Sequence, residues 1–258
     1  MFPQQLSQSG KLMKCLIVLP CFNEEKNLKP LIYSIDNVLK PQIPYKIIAV
    51  NDGSRDRTGE ILKDLSVDYP VEILEHRVNM GLGAALRTGL LAAAEEALDT
   101  DLVITMDSDN THNPKHVLDM VIASKHADVV VGSRYVKGGA QINVPLHRAV
   151  LSKMGNLFIG KLFQLPVKDA TSGFRCFRAR LLKRLRKTFG NDVVRSNGFE
   201  VSLELLLKTL HLGALIAEVP ILLDYKRKKG ASKMRLFSTI VSYLALLFRL
   251  KLNVLKHF

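Results

Sequence analysis

The 258-residue sequence contains no tryptophan, three cysteines and only 7% aromatic residues. Cys15, Cys21 and Cys176 are odd in number and lack the spacing of a metal site, so we expect small buried side chains, no disulfide framework and a reducing compartment. Helix-turn-helix and zinc-finger signatures are absent as well. The net charge of +13 indicates an anionic partner, but we therefore do not expect that partner to be a nucleic acid.

The sequence also lacks an apolar run long enough to cross a bilayer. Residues 236–248 carry no charge, but as a helix they would be about 20 Å long, against about 30 Å for a hydrocarbon core. Basic residues flank this run, and residues 225–258 contain no acid. We therefore predict a C-terminal amphipathic helix in the membrane interface. The alternative is a helix packed on the core. Residues 152–163 show a similar pattern.

Strand-like and helix-like patterns alternate through the first half of the chain and return near its end. The strand candidates are residues 15–20, 46–50, 71–74, 101–106, 128–132 and 214–219. The helix candidates are residues 24–39, 57–65, 82–98, 147–163 and 200–210. This order predicts an α/β, Rossmann-like fold with a mostly parallel sheet and helices on both faces. We expect a domain at residues 12–225, followed by a basic and apolar membrane-associating segment at residues 226–258.

Two acids follow the fourth predicted strand, Asp107 and Asp109. Residues i and i+2 of an extended chain point to the same side, and ligands bind at the carboxyl ends of parallel strands. We therefore predict that this pair holds Mg²⁺ or Mn²⁺ bridging to a diphosphate. The alternative is a helix cap, in which Asp109 or Asn110 caps a helix that starts near Pro114.

Polar residues also follow the first three predicted strands. Asp52 is placed to accept hydrogen bonds from a nucleotide, or else belongs to an ordinary turn. Glu24 either contacts the same nucleotide or caps the following helix. The turn at Gly81 and Gly83 opens a helix and would offer free N–H groups to an anion. It matches a dinucleotide fingerprint only in part, since Leu86 stands in place of the third glycine, so we do not expect an NAD enzyme.

Arginines in the second half of the chain are candidate phosphate ligands. Arg134, Arg148 and Arg175 lie in mixed sequence, and the last of these follows Asp169 and two hydroxyl residues. A guanidinium group binds phosphate oxygens bidentately. The alternative for each is an ordinary surface cation.

Seven segments together resemble, in order, motifs of the family 2 glycosyltransferases of the GT-A fold. The resemblance is strongest to dolichyl-phosphate mannose synthases and bacterial polyprenyl-phosphate glycosyltransferases. The segments are LPCFNEE, VNDGS, VNMGLGAAL, MDSDNTHNP, VVVGSRY, DATSGFR and RKKGASK. The resemblance runs from about residue 15 to about residue 235. The chain departs from the family at Asn51, Thr111 and Asn113, where many members carry Asp, Gln and Pro, but both acids of the Asp-x-Asp pair are kept.

The resemblance implies an inverting, metal-dependent transferase. The enzyme would move a hexose, with mannose as the first expectation, from GDP-mannose or a UDP-sugar to a polyprenyl or dolichyl monophosphate. It would use Mg²⁺ or Mn²⁺ and lie peripherally at the cytoplasmic face of the membrane, where a small membrane protein is an expected partner.

The resemblance also assigns residues to roles. The donor would be held by Pro20, Phe22, Glu24, Asp52 and Asp107, to which the glycine turn adds Gly81. Asp107 and Asp109 would hold the metal and, with Arg134, form the catalytic group. The acceptor phosphate would meet Arg134, Arg148, Ser152, Arg227 and Lys233, to which the arginine pattern adds Arg175.

Two other functions fit the same motifs. A related transferase with a saccharide or protein hydroxyl as acceptor would need a base, for which Asp169 is the candidate. A lipid monophosphate needs none, because its second pKa is about 6. The other alternative is a catalytically silent nucleotide-sugar-binding or membrane scaffold protein. The intact acid pair is evidence against this alternative.

Overall fold

A seven-stranded sheet forms the centre of the fold in the computed structural model, which describes residues 13–230 together with residues 242, 243 and 246. The strands are β1 Cys15–Cys21, β2 Tyr45–Asp52, β3 Val71–His76, β4 Leu102–Thr105, β5 Val129–Ser133, β6 Ala140–Ile142, β7 Arg175–Arg178, β8 Ile216–Pro220 and β9 Leu222–Asp224. The order in the large sheet is β3-β2-β1-β4-β7-β5-β8, and β6 pairs with β9 separately. Every neighbouring pair in the large sheet is parallel except those of β7, which runs antiparallel to β4 and β5.

Helices cover both faces of this sheet, as predicted. They are α1 Leu28–Leu39, α2 Thr58–Asp68, α3 Leu82–Glu96, α4 His116–Ala123, α5 Leu146–Leu162, α6 Ala179–Phe189 and α7 Val201–His211. Leu16 and Val18 of β1 pack in the cluster that contains α3, α6 and α7, whereas Ile17 and Leu19 pack in the cluster that contains α1, α2 and α4. Successive strand residues point to opposite faces, so a strand buried on both sides reads as a continuous apolar run. The three cysteines are buried, as predicted.

Strand β7 and helix α6 are among the elements that the sequence patterns missed, as are β6, β9 and, outside the helix-cap alternative, α4. Strand β7 is four residues long and carries two arginines, yet it is inserted between β4 and β5. Helix α6 is rich in Lys and Arg but buries Leu181, Leu182 and Leu185 against the core. Neither β7 nor α6 has the high apolar content from which the other strands and helices were predicted.

The structure describes three residues of the predicted interfacial helix at residues 236–248. Leu246 is buried in the core cluster, and the Tyr243 hydroxyl donates a hydrogen bond to the carbonyl oxygen of Phe199 at 3.1 Å. These two contacts fit the core-packed alternative, and the rest of the segment lies outside the described residues. Among the helices that the structure describes, none combines the length and the apolar character needed to cross a membrane.

Gly89 on α3 allows that helix to pack directly on strand β1. A Cβ atom there would lie 2.4 Å from Cγ1 of Val18. We expect Gly89→Ala to lower the free energy of unfolding by about 1–3 kcal/mol, because overpacking outweighs the better helix propensity of alanine. Urea denaturation followed by circular dichroism measures this change.

Gly155 on α5 is the matched control, since a Cβ atom there would meet nothing within 4 Å. Gly155→Ala should be neutral or stabilise by up to about 1 kcal/mol. If Gly89→Ala unfolds at the same urea concentration as the wild type, the close packing of α3 on β1 does not constrain stability.

Candidate active site

The acid pair lies on a turn beyond strand β4. That strand ends at Thr105, and Asn110 closes the turn with a φ of 71°. The extended conformation that we predicted for this segment was therefore wrong, although Asp107 and Asp109 lie within electrostatic reach of each other. The helix-cap alternative was wrong too, because α4 begins at His116 and Asp109 accepts hydrogen bonds within its own turn, from the Thr111 backbone N–H at 3.1 Å and the Thr111 hydroxyl at 2.7 Å.

The two carboxylates lie in different surroundings. The Asp107 side chain is 42% exposed, and its Oδ2 lies 4.0 Å from Nδ1 of His112, which accepts a hydrogen bond from the Asp107 backbone N–H at 3.3 Å. The Asp109 side chain is only 16% exposed. The His112 ring stacks on Phe174 with centroids 4.7 Å apart, which fixes it beneath the turn. Asp107 is thus the open carboxylate of the pair.

Asp109 forms an ion pair with Lys228. The Lys228 ammonium lies 2.8 Å from Oδ2 of Asp109, and its own side chain is 14% exposed. Burial opposes ionisation of Asp109, but the neighbouring ammonium outweighs it and holds the pKa of Asp109 below its ordinary value. Burial likewise lowers the pKa of Lys228, while Asp109 raises it, and the net shift is upward. No sequence pattern indicates this role of Lys228, because 119 residues separate the two partners along the chain.

Lys228 belongs to a strap, residues 224–230, that crosses the site. The Asp224 backbone N–H donates to the Thr111 carbonyl at 3.3 Å. The Lys229 backbone N–H donates to Oδ1 of Asn27, and Nδ2 of Asn27 donates to the Lys229 carbonyl, both at 2.9 Å. The strap therefore joins the acid turn to the β1–α1 loop, and the predicted domain boundary after residue 225 falls within it.

Tyr225 on the strap lies within electrostatic reach of the acid pair. Burial raises the pKa of its phenol, Arg134 opposes that rise, and Asp107 and Asp109 add to it. The structure thus brings Tyr225, Arg134 and both acids into one region. Tyr225 is a second residue of this region that sequence analysis did not single out.

Asp52 anchors a turn beside the site. Its Oδ1 accepts from the Met80 backbone N–H at 2.9 Å and lies 2.7 Å from Nδ1 of His76, and its Oδ2 accepts from the Gly81 backbone N–H at 2.9 Å. The carboxylate is almost fully buried. In this structure, Asp52 shapes the turn, and a direct nucleotide contact stays a prediction.

The glycine turn does not offer the free N–H groups that we expected. The Gly81 N–H is donated to Asp52, and the Gly83 N–H is donated to the Asn197 carbonyl at 3.0 Å. Gly81 has a φ of 93°, and a Cβ atom on it would lie 2.6 Å from the Asn197 carbonyl oxygen. The prediction of an anion site at these two N–H groups is therefore wrong. The glycines instead permit close packing against residues 196–197.

The end of β1 and the β1–α1 loop place the other candidate donor residues at the same edge of the sheet. Pro20 lies just before the end of β1, and its carbonyl accepts a hydrogen bond of 2.5 Å from the Ser108 hydroxyl, which ties the end of this strand to the acid turn. Glu24 is buried and accepts from Nδ2 of Asn27 at 2.6 Å. Phe22 lies between them and is half-buried. Their contact with a donor stays a prediction.

Arg134 is held by a buried carboxylate. Its Nε and Nη2 donate to the two oxygens of Asp169, both at 2.7 Å, and Nη2 also donates to the Thr171 hydroxyl at 2.9 Å. The Asp169 side chain has no exposed surface. Asp169 therefore cannot receive a proton from an acceptor at the surface, which removes the base proposed for a hydroxyl acceptor.

Arg175 lies below the site. It is 1% exposed, and its guanidinium donates to the carbonyls of Ser202 and of Ala170, the latter at 2.7 Å. Burial lowers the pKa of Arg175 to about 10, and Asp169 opposes that shift. This position corrects the expectation of a phosphate contact, because strand β7 directs the side chain into the core.

Arg148 and Ser152 lie one turn apart on α5. Residues four apart share a helix face, so both are available to one ligand. Ser152 accepts a hydrogen bond of 2.8 Å from the Tyr135 hydroxyl, and Arg148 is half-buried. Arg227 is half-buried on the strap. Lys233 lies outside the described residues.

Comparison with known proteins relates this chain to sugar transferases. Residues 16–186 match the family described as Glycosyl transferase family 2. A dolichol-phosphate mannosyltransferase of Pyrococcus furiosus is 33% identical over 243 residues, which cover 92% of this chain and 64% of that protein. A polyprenol monophosphomannose synthase of Mycolicibacterium smegmatis is 33% identical over 226 residues, covering 86% of this chain and 81% of that protein.

A solved structure shares the fold. Glucosyl-3-phosphoglycerate synthase from Mycobacterium tuberculosis, in complex with Mn²⁺, UDP and glucosyl-3-phosphoglycerate, aligns with a TM-score of 0.64 at 19% identity. The alignment covers 92% of this chain and 79% of that one. The architecture predicted from the sequence, a mostly parallel sheet flanked by helices, is confirmed.

The buried pair of Arg134 and Asp169 yields a stability prediction. We expect Asp169→Asn to lower the free energy of unfolding by about 3–5 kcal/mol, because it leaves the Arg134 guanidinium buried without its counter-charge. The matched control is Asp99→Asn, which breaks the exposed pair with Lys183 and should cost about 0–1 kcal/mol. Urea denaturation of both variants checks this. Equal losses would show that burial does not strengthen the Arg134 pair.

Proposed function

Because the chain belongs to glycosyl transferase family 2, we propose that it transfers a hexose, with mannose as the first candidate, from a nucleotide sugar to a polyprenyl monophosphate. The two relatives named above support this choice of sugar and acceptor by their names and by their identity over most of this chain. GDP-mannose is the leading donor, and a UDP-sugar is the alternative.

The observation that carries the choice of acceptor is the pairing of Asp169 with Arg134. A sugar or protein hydroxyl must lose its proton as it attacks, so it needs a base. The candidate base has no exposed surface and is neutralised by a bidentate arginine. A lipid monophosphate is largely ionised at neutral pH and attacks without a base. The site therefore suits an acceptor that brings its own negative charge.

The proposed reaction is a single displacement. A phosphate oxygen of the acceptor bonds to the anomeric carbon while the bond from that carbon to the donor diphosphate breaks. The nucleoside diphosphate leaves with the electron pair, and the configuration inverts. Two anions must approach each other, so nearby cations lower the barrier by reducing their repulsion. Arg148 and Arg227 are the half-buried cations proposed for the acceptor phosphate, with Ser152 beside Arg148 as a hydroxyl ligand.

Asp107 and Asp109 fit a hard divalent cation, Mg²⁺ or Mn²⁺. Both offer carboxylate oxygens, and Asp109 already attracts a cation, the Lys228 ammonium. Within residues 13–230 and the three later positions, no cluster of three or more metal-binding side chains occurs. Two carboxylates with water and diphosphate oxygens are the ligand set that Mg²⁺ commonly takes. Such an ion supplies charge neutralisation for the leaving diphosphate.

Helix α5 offers a surface for the membrane that carries the acceptor. Its exposed apolar side chains are Leu146, Val150, Leu151, Met154, Leu157, Phe158 and Leu162, with exposures from 44% to 78%. An apolar helix face with basic neighbours is typical of a helix in the interface plane. We propose that α5 lies on the cytoplasmic face of the membrane, so that an acceptor phosphate meets Arg148 while its chain stays in the bilayer. A small membrane protein remains a proposed partner.

Transfer of radiolabelled sugar into organic-extractable lipid tests the reaction. Polyprenyl phosphate is incubated with GDP-mannose or UDP-sugars, with and without Mg²⁺ or Mn²⁺. We expect metal-dependent label from one donor, and Asp107→Ala should reduce it by at least about 100-fold, because charge on the leaving diphosphate is left uncompensated. The control is Asp119→Ala, which removes an exposed acid on α4 and should leave transfer unchanged.

Two results of this assay would contradict the proposal. Undiminished transfer by Asp107→Ala would remove the metal assignment. Absence of lipid label with every donor, together with metal-dependent hydrolysis of a donor, would indicate a different acceptor.

The α5 face yields a separate prediction. Phe158→Glu should weaken co-sedimentation with vesicles of phosphatidylcholine and phosphatidylglycerol by about tenfold or more, because burying a large apolar side chain contributes about 1.5–3 kcal/mol. Tyr33→Glu is the matched control, since Tyr33 is 61% exposed on α1 and Phe158 is 60% exposed. Equal loss of binding in both variants would show that the change in net charge causes the loss. No loss in either variant would contradict the proposal that α5 contacts the membrane.

A further inference from the structure

The ion pair between Lys228 and Asp109 lies where a divalent cation is proposed to bind. The Lys228 ammonium is 2.8 Å from Oδ2 of Asp109, and both side chains are largely buried, at 14% and 16% exposure. Asp107, two residues away, is 42% exposed. One carboxylate of the pair is thus open, while the other already has a cationic partner supplied by the chain.

The remaining acceptor capacity of Asp109 is small. A carboxylate offers about four lone-pair sites. Oδ1 accepts from the backbone N–H of Thr111 at 3.1 Å and from its hydroxyl at 2.7 Å. Oδ2 accepts from Lys228. A divalent ion would approach Oδ2 to about 2.1 Å, which would bring a double positive charge next to the ammonium. The two cations repel each other strongly at that separation.

The strap limits what has to move for Lys228 to leave. Its backbone is tied on one side to Thr111 through Asp224 and on the other side to Asn27 through Lys229. The lysine side chain is a flexible four-carbon stem, so the ammonium can leave Asp109 while these backbone hydrogen bonds stay. The strap also keeps the displaced ammonium at the edge of the same site, where a donor diphosphate would offer a new anionic partner.

We propose that Lys228 is an internal competitor for the metal, which holds Asp109 in the metal-free protein and must release it before a divalent ion binds both acids. This inference rests on the proposed metal role of Asp107 and Asp109. It makes Lys228 a residue that sets metal affinity, and it predicts that metal binds more tightly once a diphosphate is present to receive the ammonium.

Binding of Mn²⁺, measured by electron paramagnetic resonance of the free ion and by calorimetry, tests this without any turnover. Titrations use Mn²⁺ alone, Mn²⁺ with GDP and Mn²⁺ with UDP. Lys228→Met should bind Mn²⁺ alone about tenfold more tightly than the wild type, because the competing charge is gone. Lys228→Arg keeps the charge and should stay within about threefold of the wild type. Lys226→Met removes an exposed charge from the same strap and should leave the affinity nearly unchanged.

The outcomes separate the two proposals. If Lys228→Met binds Mn²⁺ no more tightly than the wild type while Asp107→Ala binds it more weakly, the competition is overturned and the metal site stands. If Lys226→Met tightens binding as much as Lys228→Met, net charge explains the effect and the competition is again overturned. If Asp107→Ala and the wild type bind Mn²⁺ equally with and without a nucleoside diphosphate, the proposed metal site is itself overturned. Circular dichroism of each variant confirms folding, and Lys228→Gln replaces Lys228→Met if the latter does not fold.

Discussion

Burial of the central sheet on both faces is the constraint on which the rest of the structure depends. Strand β1 contributes Leu16 and Val18 to one core cluster and Ile17 and Leu19 to the other, so no polar side chain fits in its middle. In the central strands β1, β2 and β4, polar side chains therefore lie only near the points where the strands begin or end. The parallel strands β1, β2 and β4 end at the same edge, and this brings the β1–α1 loop, Asp52 and the acid turn together.

Charge compensation then sorts the acids at that edge. Asp169 is neutralised by Arg134, Asp109 by Lys228, and Asp52 receives two backbone N–H groups. Asp107 is the exception among these described acids, with 42% of its side chain exposed. A buried carboxylate without a partner is costly, so these partners hold each of the three acids in place. Asp107, the open acid, is the one that we propose recruits a divalent cation from solution.

Most of the sheet could be predicted from the sequence, but strand β7, which runs antiparallel to its neighbours, could not. The six predicted strands exist, because each is an apolar run between polar turns. Strand β7 carries Arg175 and Arg178 in four residues, so its composition conceals a central position in the sheet. Arg175 was expected at the surface. It lies in the core because it belongs to this strand. In the core, backbone carbonyl oxygens accept hydrogen bonds from the Arg175 guanidinium group, and no local sequence pattern reveals these partners.

The sequence by itself determined the family resemblance, the mostly parallel fold and the identity of the acids, because these depend on local periodicity and on short motifs at strand ends. Only the tertiary structure decided which acid is open and which is paired. Asp109 meets Lys228 across 119 residues, and Asp169 meets Arg134 across 35. Such pairings are set by the way distant loops meet at one edge of the sheet. The spacing of residues along the chain does not tell which distant residues meet in the fold. The pairings of Lys228 and Asp169 are therefore seen only in the three-dimensional structure.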